Sequence, residues 1–165
     1  MNAEVDVIVS EVGPRDGLQS IRRIMPTEAK IRWVEALAKA GLIEIEVGSF
    51  VPPKLLPQMA DTEEVVRAAL RIPKITVLTL APNLKGAELA FAAGSQTITM
   101  PVSASRSHSF SNVRKTPEQA VDEVRNVRKL CDGLSPERRP RLEVGIATAF
   151  GCSIQGEINL RVLLI

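Results

Sequence analysis

Aromatic residues are scarce in this sequence: they make up 3% of its 165 residues, with one tryptophan and no tyrosine. Proteins that bind single-stranded nucleic acid stack bases on aromatic side chains, so this composition disfavours that class. Charge of one sign is also lacking, since the net charge is +2 and the basic residues are scattered along the chain. Without a basic cluster, we expect neither nucleic acid nor an anionic membrane surface as a partner.

Cysteine and histidine are nearly absent as well. The two cysteines, Cys131 and Cys152, and the single histidine, His108, have spacings that fit neither a disulfide framework nor a zinc site. No apolar run approaches the roughly 20 residues of a membrane span, and the first residues, MNAEVDVIVS, lack the basic start of a signal peptide. We therefore expect a cytoplasmic protein, with an organelle lumen as the alternative.

Predicted strands and helices alternate along the sequence. The predicted strands are Val5–Val12, Ile43–Val47, Lys74–Leu80, Gln96–Pro101 and Arg141–Ala147. The predicted helices are Thr27–Ala40, Asp61–Leu70, Asn83–Ala93 and Thr116–Leu130, with capping-box patterns at Asp61 and Thr116. Because parallel strands need crossover connections, this alternation predicts an α/β protein with a parallel sheet.

Two architectures fit that alternation: an open doubly wound sheet and part of a (β/α)8 barrel. The first strand–helix connection lacks G-x-G-x-x-G, which disfavours a nucleotide-binding open sheet. Long polar connections follow the first, second and fourth strands, over residues 13–26, 48–60 and 102–115. Sites in α/β folds assemble on the connections that follow strands, so we expect the chemistry there.

Arg15 and Asp16 lie directly after the first predicted strand, in the run EVGPRDGLQS. Arginine offers a rigid fork of donors for a carboxylate or a developing oxyanion, and aspartate is a ligand for hard metal ions. The residues alone leave a second interpretation open, in which Pro14 and Gly17 set a surface turn and both charges are solvated.

Glu46 lies inside an apolar strand, where alternation points it away from Ile45 and Val47. A buried acid needs a partner such as Arg15, and either a functional site or a structural ion pair would provide one. The Pro-rich run Ser49–Asp61 is either a rigid flap over a ligand or a loop that packs its own small core. For His108 we expect an exposed loop residue, and for Cys152 an ordinary buried thiol.

Four runs of sequence carry a family resemblance: EVGPRDGLQ, PTEAKI, AGLIEIEVGSFVPPKLLPQMAD and PVSASRSHSFSNVRKT. Together they resemble the 3-hydroxy-3-methylglutaryl-CoA lyase family, within a wider set of metal-dependent barrel lyases and acyl-CoA condensing enzymes. The R-D-G-x-Q core is shared by the wider set, whereas SFV-x-PK-x-x-PQMAD is particular to the lyase branch. The resemblance runs from Val5 to about Glu157.

The resemblance implies one pyruvate-carboxyltransferase-like domain over residues 1–165. That domain would be an incomplete (β/α)8 TIM barrel of about five strand–helix units. The implied reaction is cleavage of 3-hydroxy-3-methylglutaryl-CoA to acetyl-CoA and acetoacetate with Mg²⁺ or Mn²⁺, as in leucine degradation and ketone-body metabolism. The implied partner is therefore a small acyl-CoA, and a homo-oligomer is left open.

The resemblance also implies roles for individual residues. Arg15 would stabilise the enolate oxygen formed when the carbon–carbon bond breaks, and it would contact the substrate. Asp16 would ligate the divalent metal. Glu46 would be the acid near the reacting centre, and Gln19 and Ser49 would line the substrate pocket.

Some family features have no counterpart in this sequence. Arg106 stands where family members commonly have an acid, and Gly48 stands where they have Thr or another small residue. The family's metal-binding H-x-H, its Asn ligand and its cysteine-bearing glycine-rich loop are not found, and Cys152 does not match that cysteine. We therefore expect the remaining metal ligands to be missing and this chain alone to be a truncated, inactive form.

Two other functions stay open at this point. One is a Claisen-type synthase that condenses acetyl-CoA with a 2-keto acid, which the PQMAD run disfavours. The other is a non-catalytic half-barrel, which the missing histidines favour.

Overall fold

The computed structural model describes residues 7–159 and Arg161, and its strands form one parallel sheet in the order β1-β2-β3-β4-β5. The strands are β1 (Ser10–Glu11), β2 (Glu44–Ser49), β3 (Thr76–Leu80), β4 (Thr97–Ser103) and β5 (Arg141–Ala147). The helices are α1 (Thr27–Lys39), α2 (Thr62–Ala69), α3 (Leu84–Ala93), α4 (Arg106–Val113) and α5 (Pro117–Asp132).

The strand order decides between the two predicted architectures. Each strand lies beside its predecessor, so the order never reverses as it must in a doubly wound sheet. Right-handed crossovers that all advance in one direction place the helices on a single face of the sheet. The described residues therefore form an incomplete (β/α)8 barrel, as predicted.

The core lies between the sheet and its helices. One cluster joins Val34 of α1, Ile45 and Val47 of β2, and Val77 of β3, and a second cluster surrounds Ile98 of β4. Since Ile45 and Val47 face the helices, Glu46 points to the opposite, inner face of the curved sheet. In the described part of the chain, no helix has the length and apolar character needed to cross a bilayer.

Register places the carboxyl ends of the strands at one rim. Strands β4 and β5 pair over seven residues, from Thr97 opposite Arg141 to Ser103 opposite Ala147. Strands β2 and β3 change register between Glu46 and Gly48, which is a β-bulge in β2. The connections that follow the strands gather at this rim and surround a cleft.

Of the two predicted capping boxes, one is present in the structure. At α5 the backbone N–H of Gln119 donates to Thr116 Oγ1 over 3.3 Å, and the backbone N–H of Thr116 donates to Gln119 Oε1 over 2.9 Å. The capping box predicted at Asp61 is wrong, because its side chain makes no hydrogen bond to α2. That carboxylate pairs instead with Lys30 of α1.

Two predicted boundaries also differ from the structure. Val5 and Asp6 lie outside the described residues, and of the remaining predicted first strand only Ser10 and Glu11 pair with β2. The predicted connection 102–115 contains α4, which Ser105 caps by accepting a hydrogen bond from the His108 backbone N–H over 3.1 Å. The polar sequence of α4 has no apolar stripe from which a helix could have been predicted.

Candidate active site

A cleft of about 930 Å³ opens at the rim formed by the strand carboxyl ends. Arg15, Asp16 and Gln19 line one side, from the connection after β1. Arg114 and Lys115 line another side, at the end of α4. The predicted polar connections after β1 and β4 therefore do meet at one place.

Arg15 lies in a single turn of π-helix, Gly13–Gly17, that follows β1 directly. The backbone N–H groups of Arg15 and Asp16 both donate to the carbonyl oxygen of Val12, over 3.1 and 2.7 Å, which tightens the turn. Pro14, within this turn, is buried. The surface-turn interpretation, in which both charges are solvated, is therefore wrong for Arg15, whose side chain is 14% exposed, and holds for Asp16.

Glu46 is the buried partner of Arg15. Arg15 Nε donates to Glu46 Oε2 over 2.6 Å, and Arg15 Nη2 lies 2.5 Å from the same oxygen in an ion pair. The glutamate side chain is only 3% exposed. Burial raises the pKa of the Glu46 carboxyl, although the charge and hydrogen bonds of Arg15 oppose that rise. Glu46 Oε1 is buried and has no hydrogen-bond partner among the described residues.

Asp16 and Gln19 complete a cluster around the guanidinium. Asp16 Oδ1 accepts from Arg15 Nη1 over 2.8 Å and from Gln19 Nε2 over 2.9 Å. The Asp16 side chain is 58% exposed, so it meets solvent at the cleft while Glu46 lies behind Arg15. The structure thus brings together four of the five predicted site residues: Arg15, Asp16, Gln19 and Glu46.

Ser49 is the fifth predicted site residue, and it lies at the carboxyl end of β2. It is 1% exposed and does not line the cleft, and its Oγ has no hydrogen-bond partner among the described residues. Its backbone N–H donates to Thr62 Oγ1 over 3.2 Å. A substrate-contacting role for Ser49 stays a prediction.

Gly13 allows the π-helical turn to pack closely on its surroundings. Its backbone N–H donates to Glu11 Oε1 over 2.5 Å. A Cβ at residue 13 would lie 2.7 Å from that oxygen and 3.1 Å from the Trp33 ring. Trp33 is the only tryptophan in the chain, so its emission reports on the turn that carries Arg15.

The described residues do not form a complete binding site for the expected divalent metal. Across residues 7–159 and Arg161, no three His, Cys, Asp or Glu side chains cluster in a way that could hold a metal ion. Asp16 is one exposed carboxylate, and its Oδ1 already accepts two hydrogen bonds. One carboxylate falls short of the ligand set that Mg²⁺ or Mn²⁺ requires.

Two side chains near the end of β4 differ from the sequence predictions. His108 is half-buried on α4, and its Nδ1 lies 2.7 Å from Ser103 Oγ, so it is not an exposed loop residue. Cys152 is buried as predicted, but its pKa is lowered by a hydrogen bond from Ser105 and by two backbone N–H groups at 3.4 Å. Burial acts against that lowering.

Lys30 is a buried charge that sequence reasoning missed. It is 2% exposed on α1 and reaches the segment between β2 and α2. A signal was present, because Lys30 precedes Val34 by one helical turn and Leu37 by two, on the face predicted to be buried.

Comparison with known proteins identifies the family. The model of the HMGL-like family matches residues 6–164. This chain belongs to the HMGL-like family. It is 37% identical over 153 residues to the mitochondrial hydroxymethylglutaryl-CoA lyase of Rattus norvegicus, covering 93% of this chain and 46% of that protein.

Two further HMGL-like proteins, both bacterial, give the same result. The 3-hydroxy-3-isohexenylglutaryl-CoA/hydroxy-methylglutaryl-CoA lyase of Pseudomonas aeruginosa is 36% identical over 161 residues, covering 98% of this chain and 52% of that protein. An HMG-CoA lyase of Acinetobacter baumannii, solved with coenzyme A and 3-methylmalate, superposes with a TM-score of 0.87 at 36% identity. That match covers 95% of this chain and 50% of the solved one. The chain thus spans about half the length of the relatives it matches.

Proposed function

We propose that this HMGL-like chain carries the Arg15–Glu46 half of a carbon–carbon lyase site for 3-hydroxy-3-methylglutaryl-CoA. The products would be acetyl-CoA and acetoacetate. The observation that carries this proposal is the Arg15 guanidinium, held at the cleft by a hydrogen bond and an ion-pair contact to the buried Glu46. The named relatives are lyases of this substrate class, which supports the same reaction.

In this reaction the bond between C2 and C3 of the acyl group breaks. Its electron pair moves to C2 and the thioester oxygen, giving the enolate of acetyl-CoA, while the C3 hydroxyl loses its proton and becomes the ketone of acetoacetate. A preorganised guanidinium stabilises the developing oxyanion, because the free-energy cost of orienting it is met when the chain folds and not during the reaction. Arg15 supplies that group, and Glu46 fixes its orientation.

Glu46 also offers a place for a proton. Its Oε2 is committed to Arg15, whereas Oε1 is buried without a partner among the described residues. Burial raises the pKa of this carboxyl above its ordinary value, so it holds a proton more readily than an exposed glutamate does. We propose that Oε1 takes part in transferring the hydroxyl proton.

The finer assignments belong to the same proposal. Asp16 would contribute one ligand to a divalent metal whose remaining ligands the described residues lack. The reaction would be a cytoplasmic step of leucine degradation and ketone-body metabolism, although several relatives are named mitochondrial. With one acid in place of a full ligand set, this chain alone is expected to be inactive.

Binding of 3-hydroxy-3-methylglutaryl-CoA, followed by calorimetry and by Trp33 emission, tests the proposal. We expect binding that is lost in Arg15→Gln and weakened in Arg15→Lys, which keeps the charge but not the fork of donors. Arg67→Gln is the matched control, because Arg67 pairs with Glu63 on the exposed face of α2.

Three outcomes are informative in this test. No binding by the unaltered chain contradicts the lyase proposal and favours the non-catalytic half-barrel. Condensation of acetyl-CoA with a 2-keto acid, assayed in the reverse direction, would favour the synthase. Rapid release of acetyl-CoA by the chain alone would contradict the expected inactivity.

A further inference from the structure

One side of the cleft is a Pro-rich segment between β2 and α2, residues 51–58, which we call the cleft wall. Val51, Pro52, Leu55 and Leu56 of this segment line the cleft. Leu55 is 76% exposed, and Val51 and Leu56 are only partly buried. Apolar burial therefore fixes the wall only in part, and polar contacts can add to it.

Lys30 provides that attachment from α1. Its Nζ donates to the carbonyl oxygen of Gln58 over 2.5 Å and to Asp61 Oδ1 over 2.5 Å. Asp61 Oδ2 accepts a further hydrogen bond from Thr27 Oγ1 over 2.8 Å. The Lys30 side chain is only 3% exposed, and a buried ammonium with two charge-assisted partners has one defined geometry.

The same end of the wall is tied to the segment that carries the site. Gln58 Nε2 donates to the carbonyl oxygen of Ile21 over 2.6 Å, and Ile21 lies in the connection after β1 that contains Arg15 and Asp16. Lys30 and Gln58 therefore link α1, the cleft wall and the connection after β1.

We propose that Lys30 is a positioning residue, which sets the cleft wall against the Arg15 side of the site and so shapes the acyl-CoA pocket. Lys30 does not line the cleft, and it acts through the Gln58 carbonyl and the Asp61 carboxylate. The inference rests on the proposed function for the identity of the ligand. The fixing of the wall is a property of the chain itself.

Lys30→Met removes the ammonium and keeps most of the side-chain volume. We expect faster amide hydrogen exchange confined to residues 51–61, and about tenfold weaker binding of 3-hydroxy-3-methylglutaryl-CoA. Lys85→Met is the matched control, because Lys85 pairs with Glu88 on the surface, and it should change neither quantity. Unchanged exchange of the wall in Lys30→Met, or a mobile wall with unchanged binding, would overturn the proposal.

The double variant Lys30→Met, Asp61→Asn separates positioning from stability. Asparagine removes the part-buried carboxylate charge that has lost its ammonium partner, and it can still accept from Thr27, so the urea midpoint should recover relative to Lys30→Met. The Gln58 carbonyl remains without its donor, so the wall should stay mobile and binding should stay weak. Recovery of binding together with stability would show a merely structural role and overturn the proposal.

The test remains decisive if Lys30→Met does not fold or if the unaltered chain does not bind the ligand. If Lys30→Met does not fold, the double variant and Gln58→Ala, which removes only the link to Ile21, decide by the same two measurements. If the unaltered chain binds no acyl-CoA, the proposed function fails. The hydrogen-exchange comparison then still decides whether Lys30 fixes the wall.

Discussion

Arg15 and Glu46 form a pair in which burial and charge act in opposite directions on one carboxyl group. Desolvation disfavours the glutamate anion, and the adjacent guanidinium favours it. Burial is the larger effect, so the pKa of Glu46 in the folded chain lies above its ordinary value. That difference couples folding to pH, because the folded chain holds this proton more tightly than the unfolded chain does.

The first prediction follows from the sign of that coupling. Below the ordinary pKa of glutamate, Glu46 is protonated in both states and its stabilising contribution is fully present. The contribution is lost as the pH rises through the raised pKa of the folded chain. Urea unfolding across this range should therefore show a declining stability that Glu46→Gln lacks.

The control for this measurement is Glu118→Gln. Glu118 is exposed, and a hydrogen bond from Thr116 is the main cause that lowers its pKa, so its own pH dependence falls below the ordinary pKa of glutamate. Glu118→Gln should therefore leave the decline of unfolding free energy with pH unchanged above that pKa. An identical slope in Glu46→Gln and the unaltered chain would contradict the prediction.

Asp16 carries the second prediction. A single exposed carboxylate, already accepting from Arg15 and Gln19, should bind Mn²⁺ with a dissociation constant in the millimolar range or not at all. Calorimetry measures the affinity, and quenching of Trp33 emission shows whether the ion lies near the turn. Asp16→Asn should remove whatever binding remains, and micromolar affinity in the unaltered chain would contradict the expectation.

The sequence predicts the pairing of Arg15 with Glu46 but not the residues that surround the pair. Strand alternation requires a buried acid at residue 46 to have a partner, and Arg15 was the nearest cation at a strand end. Lys30 was missed because lysine on a helix is ordinarily exposed. Ser49 was expected in the pocket, but its position depends on a bulge that no local pattern predicts.

The bulge in β2 brings Gly48 into close contact with α2. Gly48 lies against Thr62 of α2, and a Cβ at residue 48 would lie 2.6 Å from both Thr62 Cγ2 and Oγ1. Thr62 Oγ1 donates to the Met59 carbonyl oxygen over 2.8 Å, so that side chain is not free to move away. The contact holds β2, the end of the cleft wall and α2 in one arrangement.

The third prediction is that Gly48→Ala destabilises the chain by about 1–3 kcal/mol through overpacking. In a Thr62→Ala background the same substitution should cost less, because the two closest atoms are gone. Urea unfolding of the four chains gives the coupling energy directly. Additive effects would show that the contact between residues 48 and 62 does not limit packing.

Helices whose sequence contains a capping motif could be predicted from the sequence. Elements without such a motif could not. The Thr-Pro-x-Gln start of α5 specifies its first residue through hydrogen bonds within four positions, so the prediction there is confirmed. Helix α4 and the short β1 depend on contacts with distant parts of the chain. Asp61 matched the capping pattern, but a buried lysine on another helix was its stronger partner.

The sheet of the described residues has two edge strands. Strands β1 and β5 have a neighbour on one side only within the described residues, and Val144 of β5 is 39% exposed. Unpaired parallel edges with apolar side chains favour association with other chains. The alternation of elements predicted this parallel sheet, while the family resemblance was needed to predict its curvature.

The fourth prediction concerns that association. Sedimentation velocity should show self-association that grows with concentration, and Val144→Lys should reduce it by placing a charge on the β5 edge. Leu89→Lys is the matched control, since Leu89 is 46% exposed but lies on α3, away from either edge. Equal association of all three chains would rule out the strand edges as the contact.

The order β1-β2-β3-β4-β5 also bears on how the chain assembles during synthesis. Each strand pairs with the one made just before it, so every new strand–helix unit can dock without waiting for a distant segment. Loop closures stay short, which keeps the entropy cost of each step small. Order of translation and order of assembly therefore coincide in this sheet, and its growing edge is always the strand most recently made.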